Sequence, residues 1–427
     1  MGKKLDRRHR NRDRRQEILS MLKRTRGSVL LLCLVLCASC ASNDDVAVIE
    51  AMTDEGPALY TDTLTALEGE MAQVAMTRAW SGSYFSACTV QGVAIQESDL
   101  FLWVFNGRSR HYEVHSLDAK TGARNWMVDV GHKNLSQVPM AGDRFVVCLL
   151  EDGGGMVVVN RGNGAREYSM STRVSQVPTG PAASSDSTVY LNSLIDDRVH
   201  ALNPATGMSG WAFRTEGTIT AGPITTPRLP RRLVVVGTDA GEVVALPPRA
   251  WNESRPTDAA WDRSVFGDVS GPISVANAIV GEKLQVSVLV PCEDHGLYCL
   301  NAATGEPRWV YRTAHPFRGA ARALGGRVFG RNERRLCAVD LATGDEAWAA
   351  SAEGGAPKPF EAALAAVAAD DTRAYLWMGG KKIVRADGKT GAFVAGANLA
   401  SFDWIVPGGE NNVLVGVTRD GHLVAFN

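Results

Sequence analysis

Leu297-Tyr298-Cys299-Leu300-Asn301-Ala302-Ala303-Thr304-Gly305-Glu306-Pro307-Arg308-Trp309 decides the fold. It reads as a short apolar strand, a tight turn and a second strand carrying a large aromatic. The same order returns at residues 114–122 before Trp126, at 199–207 before Trp211 and at 336–344 before Trp348. In each copy the aromatic stands eight residues after the Asp or Asn: Asp118 to Trp126, Asn203 to Trp211, Asn301 to Trp309, Asp340 to Trp348. One such unit arises by chance, but four with identical spacing mark a repeat architecture.

Each position has a chemical reason. The Asp or Asn side chain bonds backbone N–H groups two residues on and closes a turn. Gly122, Gly207, Gly305 and Gly344 stand where the chain needs a positive φ. The Trp offers a broad apolar face and one N–H, which suits a seam between two packed sheets. Degenerate copies fill the gaps. Asn160 and Gly164 lead to Tyr168 at the same spacing, and Asp387 and Gly391 lead to a displaced Phe393. Residues 243–246 run into Pro247-Pro248, where the turn chemistry is lost. Strand ends at 118, 160, 203, 247, 301, 340, 387 and 427 define eight units, mostly 40–47 residues long, with one longer gap between 247 and 301. Trp251 or Trp261 is expected at the seam there, with the excess forming a protruding loop. The Ala-rich stretch 356–369 is expected, by register, to be a strand and a loop.

The ends complement each other. Residues 72–80, closing on Trp80, read as a last strand with no partner before it, and the final unit stops at Asn427 without that strand. Pairing the two closes the array and removes exposed sheet edges. The expected fold is all-β: an eight-bladed β-propeller of four-stranded antiparallel blades over 72–427, closed by its N-terminal strand.

Charge is asymmetric ahead of this domain. Residues 1–26 hold 11 of the 45 Lys and Arg and 3 of the 46 Asp and Glu, which leaves the rest with a net charge of −9. An acidic body repels phosphate backbones, so no nucleic-acid partner is expected. The apolar run after residue 28 is too short to span a bilayer and suits a secretory signal, read as residues 1–39 with a start at Met1 or Met21. The small residues before Cys40 match a lipoprotein signal, and cleavage near Ala38 is the alternative. Residues 40–71 read as a flexible tether with a short helix near 64–71.

The strand-[Asp/Asn]-x-x-Thr-Gly-x-x-x-Trp unit resembles the repeat of pyrroloquinoline-quinone (PQQ)-type β-propellers over residues 72–427. A lipoprotein signal ahead of eight such blades resembles the propeller lipoproteins of the outer-membrane β-barrel assembly machinery. That resemblance implies a monomeric, non-enzymatic scaffold, lipid-anchored through Cys40, facing the periplasm from the outer membrane and binding protein partners in outer-membrane protein assembly. The same repeat occurs in PQQ-dependent oxidoreductases, which implies a second reading; a ligand sensor binding in the central channel is a third. The dehydrogenases resemble one another in carrying an adjacent Cys–Cys pair, which this chain lacks. Neither cofactor nor metal is therefore expected.

Other chemistry is thinly represented. Cys292, His295 and Cys299 have a spacing that invites zinc, a Cys292–Cys299 disulfide, or free core thiols. Cys299 takes the strand position held by Ser116, Ala201 and Ala338, which favours the small core residue. His115 and His200 share one repeat position and read as strand residues. No Gly-x-Ser-x-Gly elbow or phosphate-binding loop is present.

Overall fold

Phe145-Val146-Val147-Cys148-Leu149 is an unbroken apolar run because both faces of its strand are buried. Val146 and Cys148 lie in one seam with Phe101 and Trp126, while Phe145, Val147 and Leu149 lie in the next with Val189 and Leu191. Side chains alternate across a strand, so a sheet stacked between two neighbours needs apolar residues at every position. Among the described residues eight such clusters form, one in each seam between successive blades.

The computed structural model describes residues 69–83, 88–96, 98–151, 155–171, 182–183, 188–193, 197–227, 232–280, 283–348, 359–379, 381–408 and 413–426. Residues 1–68, over which the signal, the Cys40 lipidation site and most of the tether are expected, and Asn427 lie outside them. The described chain forms eight antiparallel sheets in sequence order. Blade 1 holds Cys88–Gln96 to Arg124–Gly131, and blade 2 Met140–Ala141 to Arg166–Ser171. Blade 3 runs from Ala182–Ala183 to Ser209–Arg214, and blade 4 from Ile219–Thr225 to Trp261–Ser264. Blade 5 runs from Ser274–Val280 to Pro307–Arg312, and blade 6 from Arg322–Leu324 to Leu336–Asp340. Blade 7 spans Ala365–Ala369 to Phe393–Asn398. Blade 8 combines Trp404–Gly408, Val413–Val417 and His422–Phe426 with the N-terminal strand Arg78–Ser83. That strand pairs Arg78 with Phe426 and Trp80 with Ala425, so the ring closes on its own first strand.

Two local expectations change. The N-terminal strand begins only at Arg78; residues 69–77 form a helical turn and a bend that bury Met71, Val74 and Met76. In blade 6 the described part of the fourth strand pairs through a bridge between Val339 and Glu346 and a bond from Ala347 N to Ala338 O; residues 349–358 lie outside the described residues. The Ala-rich stretch forms one helical turn, Pro359–Ala362, before its strand. Pro359 suits the first helical position, and Phe360 is driven inward against Trp348, ring centroids 5.4 Å apart. The excess after residue 247 is tied down at its start, and most of residues 252–258 are exposed. Arg249 O accepts from the Tyr190 hydroxyl at 2.9 Å and Trp251 N donates to Thr188 Oγ1 at 3.1 Å, which ties the loop to blade 3.

Candidate functional site

An up-and-down blade sends its loops to two ends. Hairpins joining strands one to two and three to four emerge on one face, here the turn face. Hairpins joining strands two to three, and the crossings from blade to blade, emerge on the opposite, crossing face.

The recurring Asp, Asn, Gly and Trp residues serve the turn face. Asp118 Oδ1 accepts from Lys120 N, Thr121 N and Thr121 Oγ1, and Gly122 N donates to Asp118 O. Asp340 and Asp387 build the same turn, and Asn160, Asn203 and Asn301 accept from the backbone two residues on. The indoles reach forward into the next blade. Trp126 Nε1 donates to Arg161 O at 2.7 Å, Trp309 to Leu341 O at 3.0 Å, Trp348 to Gly388 O at 3.0 Å and Trp80 to Ala119 O at 3.1 Å. In each case the acceptor directly follows the turn Asp or Asn of the neighbouring blade. Trp261, not Trp251, fills this role in blade 4 and bonds Ala302 O at 3.0 Å. Trp211 bonds Ala250 O at 3.0 Å, inside the loop that replaces the lost turn. The Tyr168 side chain lies outside the described residues.

The turn glycines serve these indoles as well as the backbone. Gly344 has φ +81, and a Cβ there would lie 2.5 Å from Trp309 Cγ. Gly305 would meet Trp261 at 2.6 Å. A side chain is excluded twice, by conformation and by the packed ring.

The cysteine alternatives resolve by strand geometry. Cys292 lies in the seam between blades 4 and 5, and Cys299 in that between blades 5 and 6, so blade 5 itself separates them. Both thiols are free; Cys292 Sγ donates to Gly267 O at 3.0 Å, and burial pushes its pKa up to about 12. His115 is buried in its strand with Nε2 3.2 Å from the Glu113 carboxylate; burial holds its pKa down.

The crossing face carries the most exposed large apolar side chain, Phe266, while Met208 and Phe393 are exposed beside turn-face hairpins. Between blades 4 and 5 the chain runs Val265-Phe266-Gly267-Asp268-Val269-Ser270. Val265 and Val269 are buried in the seam. Val265 N donates to Gly241 O at 2.7 Å, Glu293 N to Asp268 O at 2.9 Å and Thr220 Oγ1 to Val269 O at 2.8 Å. This pinned backbone leaves Phe266 outside, 84% exposed, on the rim of a cavity of about 500 Å³ shared with Asp268, Glu293 and Asp294. Asp294 is held rigidly. The Tyr298 hydroxyl and Gly296 N donate to it, and Arg312 Nη1 lies 3.2 Å from Oδ2. Burial alone would raise its carboxyl, but these bonds outweigh it and keep the pKa below the usual range. Arg318 bridges the second-to-third hairpins of blades 5 and 6, 3.0 Å from Glu293 and 3.2 Å from Glu333. Beyond it lies a second cavity, about 460 Å³, between the innermost strands of blades 6, 7 and 8.

Sequence reasoning named none of Phe266, Asp268 or Glu293 as a site. The crossing has no periodic turn chemistry, and its one signal is a Phe beside two valines where alternation leaves the odd residue outside.

The sequence profile of the family described as "Outer membrane protein assembly factor BamB" matches residues 110–290 and 277–404. Among curated proteins none matches the chain. The structure is similar to BamB from Moraxella catarrhalis, at 15% identity and TM-score 0.58, over 83% of this chain and 98% of that one. The computationally designed Ika8 protein matches at 15% identity and TM-score 0.54, over 82% and 99% of the two chains. Quinohemoprotein alcohol dehydrogenase from Comamonas testosteroni matches at 12% and 0.54, over 84% and 77%. At these identities the likeness carries the fold alone.

Proposed function

This chain belongs to the family of outer membrane protein assembly factor BamB, and from that premise we propose that its propeller is a non-enzymatic docking scaffold of the bacterial envelope, working in outer-membrane protein assembly. The observation that carries the reading is Phe266: a large apolar side chain, almost fully exposed, on a backbone pinned from both sides. A rigid aromatic beside a cavity loses little freedom on binding and makes an efficient anchor. Asp268 sets negative charge beside it, while Glu293 is already paired with Arg318. The partner segment is therefore one that seats an apolar residue against Phe266 and sets a basic residue toward Asp268.

The dehydrogenase reading shares the fold and has no comparable feature of its own; stoichiometric quinone absorbance in purified protein would overturn the scaffold. Phe266→Asp tests docking. The side chain is exposed, so the variant is expected to fold and to recover assembly-complex subunits about tenfold less well; equal recovery contradicts the reading. Anchoring is assigned to Cys40, and Cys40→Ser is expected to move the protein from the membrane to the soluble fraction.

A further inference from the structure

The innermost strand of blade 6 breaks its own alternation. Ala321 and Ala323 turn toward blade 5, among Leu297, Trp309 and Val328. Leu324 turns the other way, toward Phe329, Trp348 and Phe360. Residues two apart share a face, so Arg322 stands on the Leu324 side, where the neighbouring position is apolar. It opens into the cavity of about 460 Å³ at the crossing-face mouth of the channel, with Arg331, Trp377 and Ile405.

Among the described residues the charge there is not fully compensated. Arg318, at the rim, is matched by Glu293 and Glu333. Arg331 donates to the Ala363 carbonyl, which satisfies its N–H but not its charge. Arg322 has no carboxylate partner among the described residues, and the described lining of the cavity contains none. Arg322 is exposed to solvent, so its guanidinium is open to a ligand entering the cavity. Two guanidinium groups with no carboxylate among the described lining give the cavity a positive field that favours an anion.

We propose that this mouth is a binding site for a small organic anion, its acidic head on Arg322 and Arg331 and its flat apolar body against Trp377 and Ile405. Guanidinium groups suit the planar head, and the volume falls in the range of small-molecule pockets. The site is separate from the Phe266 cavity and does not depend on the docking reading.

The test is fluorescence titration of the mature chain with 1-anilinonaphthalene-8-sulfonate, an aromatic anion, beside uncharged N-phenyl-1-naphthylamine. Wild type is expected to bind the sulfonate saturably at one site, and Arg322→Gln to weaken it about tenfold or more, as loss of a charge-assisted bond does. Arg322→Lys should recover part of the affinity. The uncharged probe should bind both proteins equally. Thermal melts report folding, and if Arg322→Gln fails to fold, Arg331→Gln and Arg322→Lys carry the comparison. Absence of saturable binding, or equal sulfonate affinity in wild type and the folded variants, overturns the proposal.

Discussion

The seam between blades 5 and 6 and the seam between blades 7 and 8 solve one problem by different means. In the first, Trp309 comes from within the repeat, donates to Leu341 O and lies flat on Gly344. In the second, the position eight residues after Asp387 is Ala395, and Phe393 points outward, 61% exposed. Among the described residues no indole stands at the repeat position of that seam, and Trp377, from the second strand of blade 7, packs at its side. Met71, Val74 and Met76 fill it instead, beside Leu399, Phe402 and Phe426, and the Ser401 hydroxyl donates to Glu70 at 3.1 Å. A repeat can thus drop its own closing residue when a segment from outside the repeat supplies equivalent apolar volume. The same N-terminal stretch then continues into the strand that completes blade 8.

The largest expected effect lies at the repeat-built seam. Trp309→Ala removes a buried indole and its bond, and should cost about 3–5 kcal/mol in denaturant unfolding. Trp309→Phe keeps most of the volume, should cost less than the Ala change, and isolates the hydrogen bond at about 1 kcal/mol. A Trp309→Ala loss no larger than that of an exposed-residue control would show that the indoles are not what holds the seams. At the other seam Met71→Ala should cost about 2–4 kcal/mol. It should also raise amide exchange selectively in blades 7 and 8; uniform exchange around the ring would contradict the local role of the N-terminal segment.

The smallest expected effect is electrostatic and sits in blade 7. Asp370 caps the first hairpin there, accepting from Thr372 and Arg373. Burial opposes its charge, but those bonds prevail and hold its pKa at about 2. The folded pKa lies below the unfolded one, so its stabilisation is full above about pH 4 and is lost as pH falls toward 2. The carboxylate is partly exposed, so the contribution is under about 1 kcal/mol. Asp370→Asn should flatten the stability profile between pH 4 and 2 and leave the Trp309 and Met71 effects unchanged.

What was legible in the sequence is what is local. Asp118, Thr121 and Gly122 make one turn within five residues, so their spacing displays their chemistry. Eightfold recurrence then carries the architecture. The partner of each indole was not legible, because Leu341 O lies 32 residues beyond Trp309 and depends on how blades stack. Residues 72–77 read as strand from their apolar content, but tertiary burial of Val74 and Met76 bends them instead. Cys292 and Cys299 are close in sequence, and only the intervening hairpin places them on opposite sides of a sheet. Phe266 was missed for the converse reason: its meaning lies in being left out of a seam that its neighbours enter.

The two faces can be compared in one experiment. A photo-crosslinking phenylalanine analogue placed at Phe266, and separately at Thr304 on the turn face, is irradiated in intact cells. The account predicts adducts with assembly-complex polypeptides from position 266 and none from position 304; equal adducts from both positions, or adducts only from 304, would contradict it.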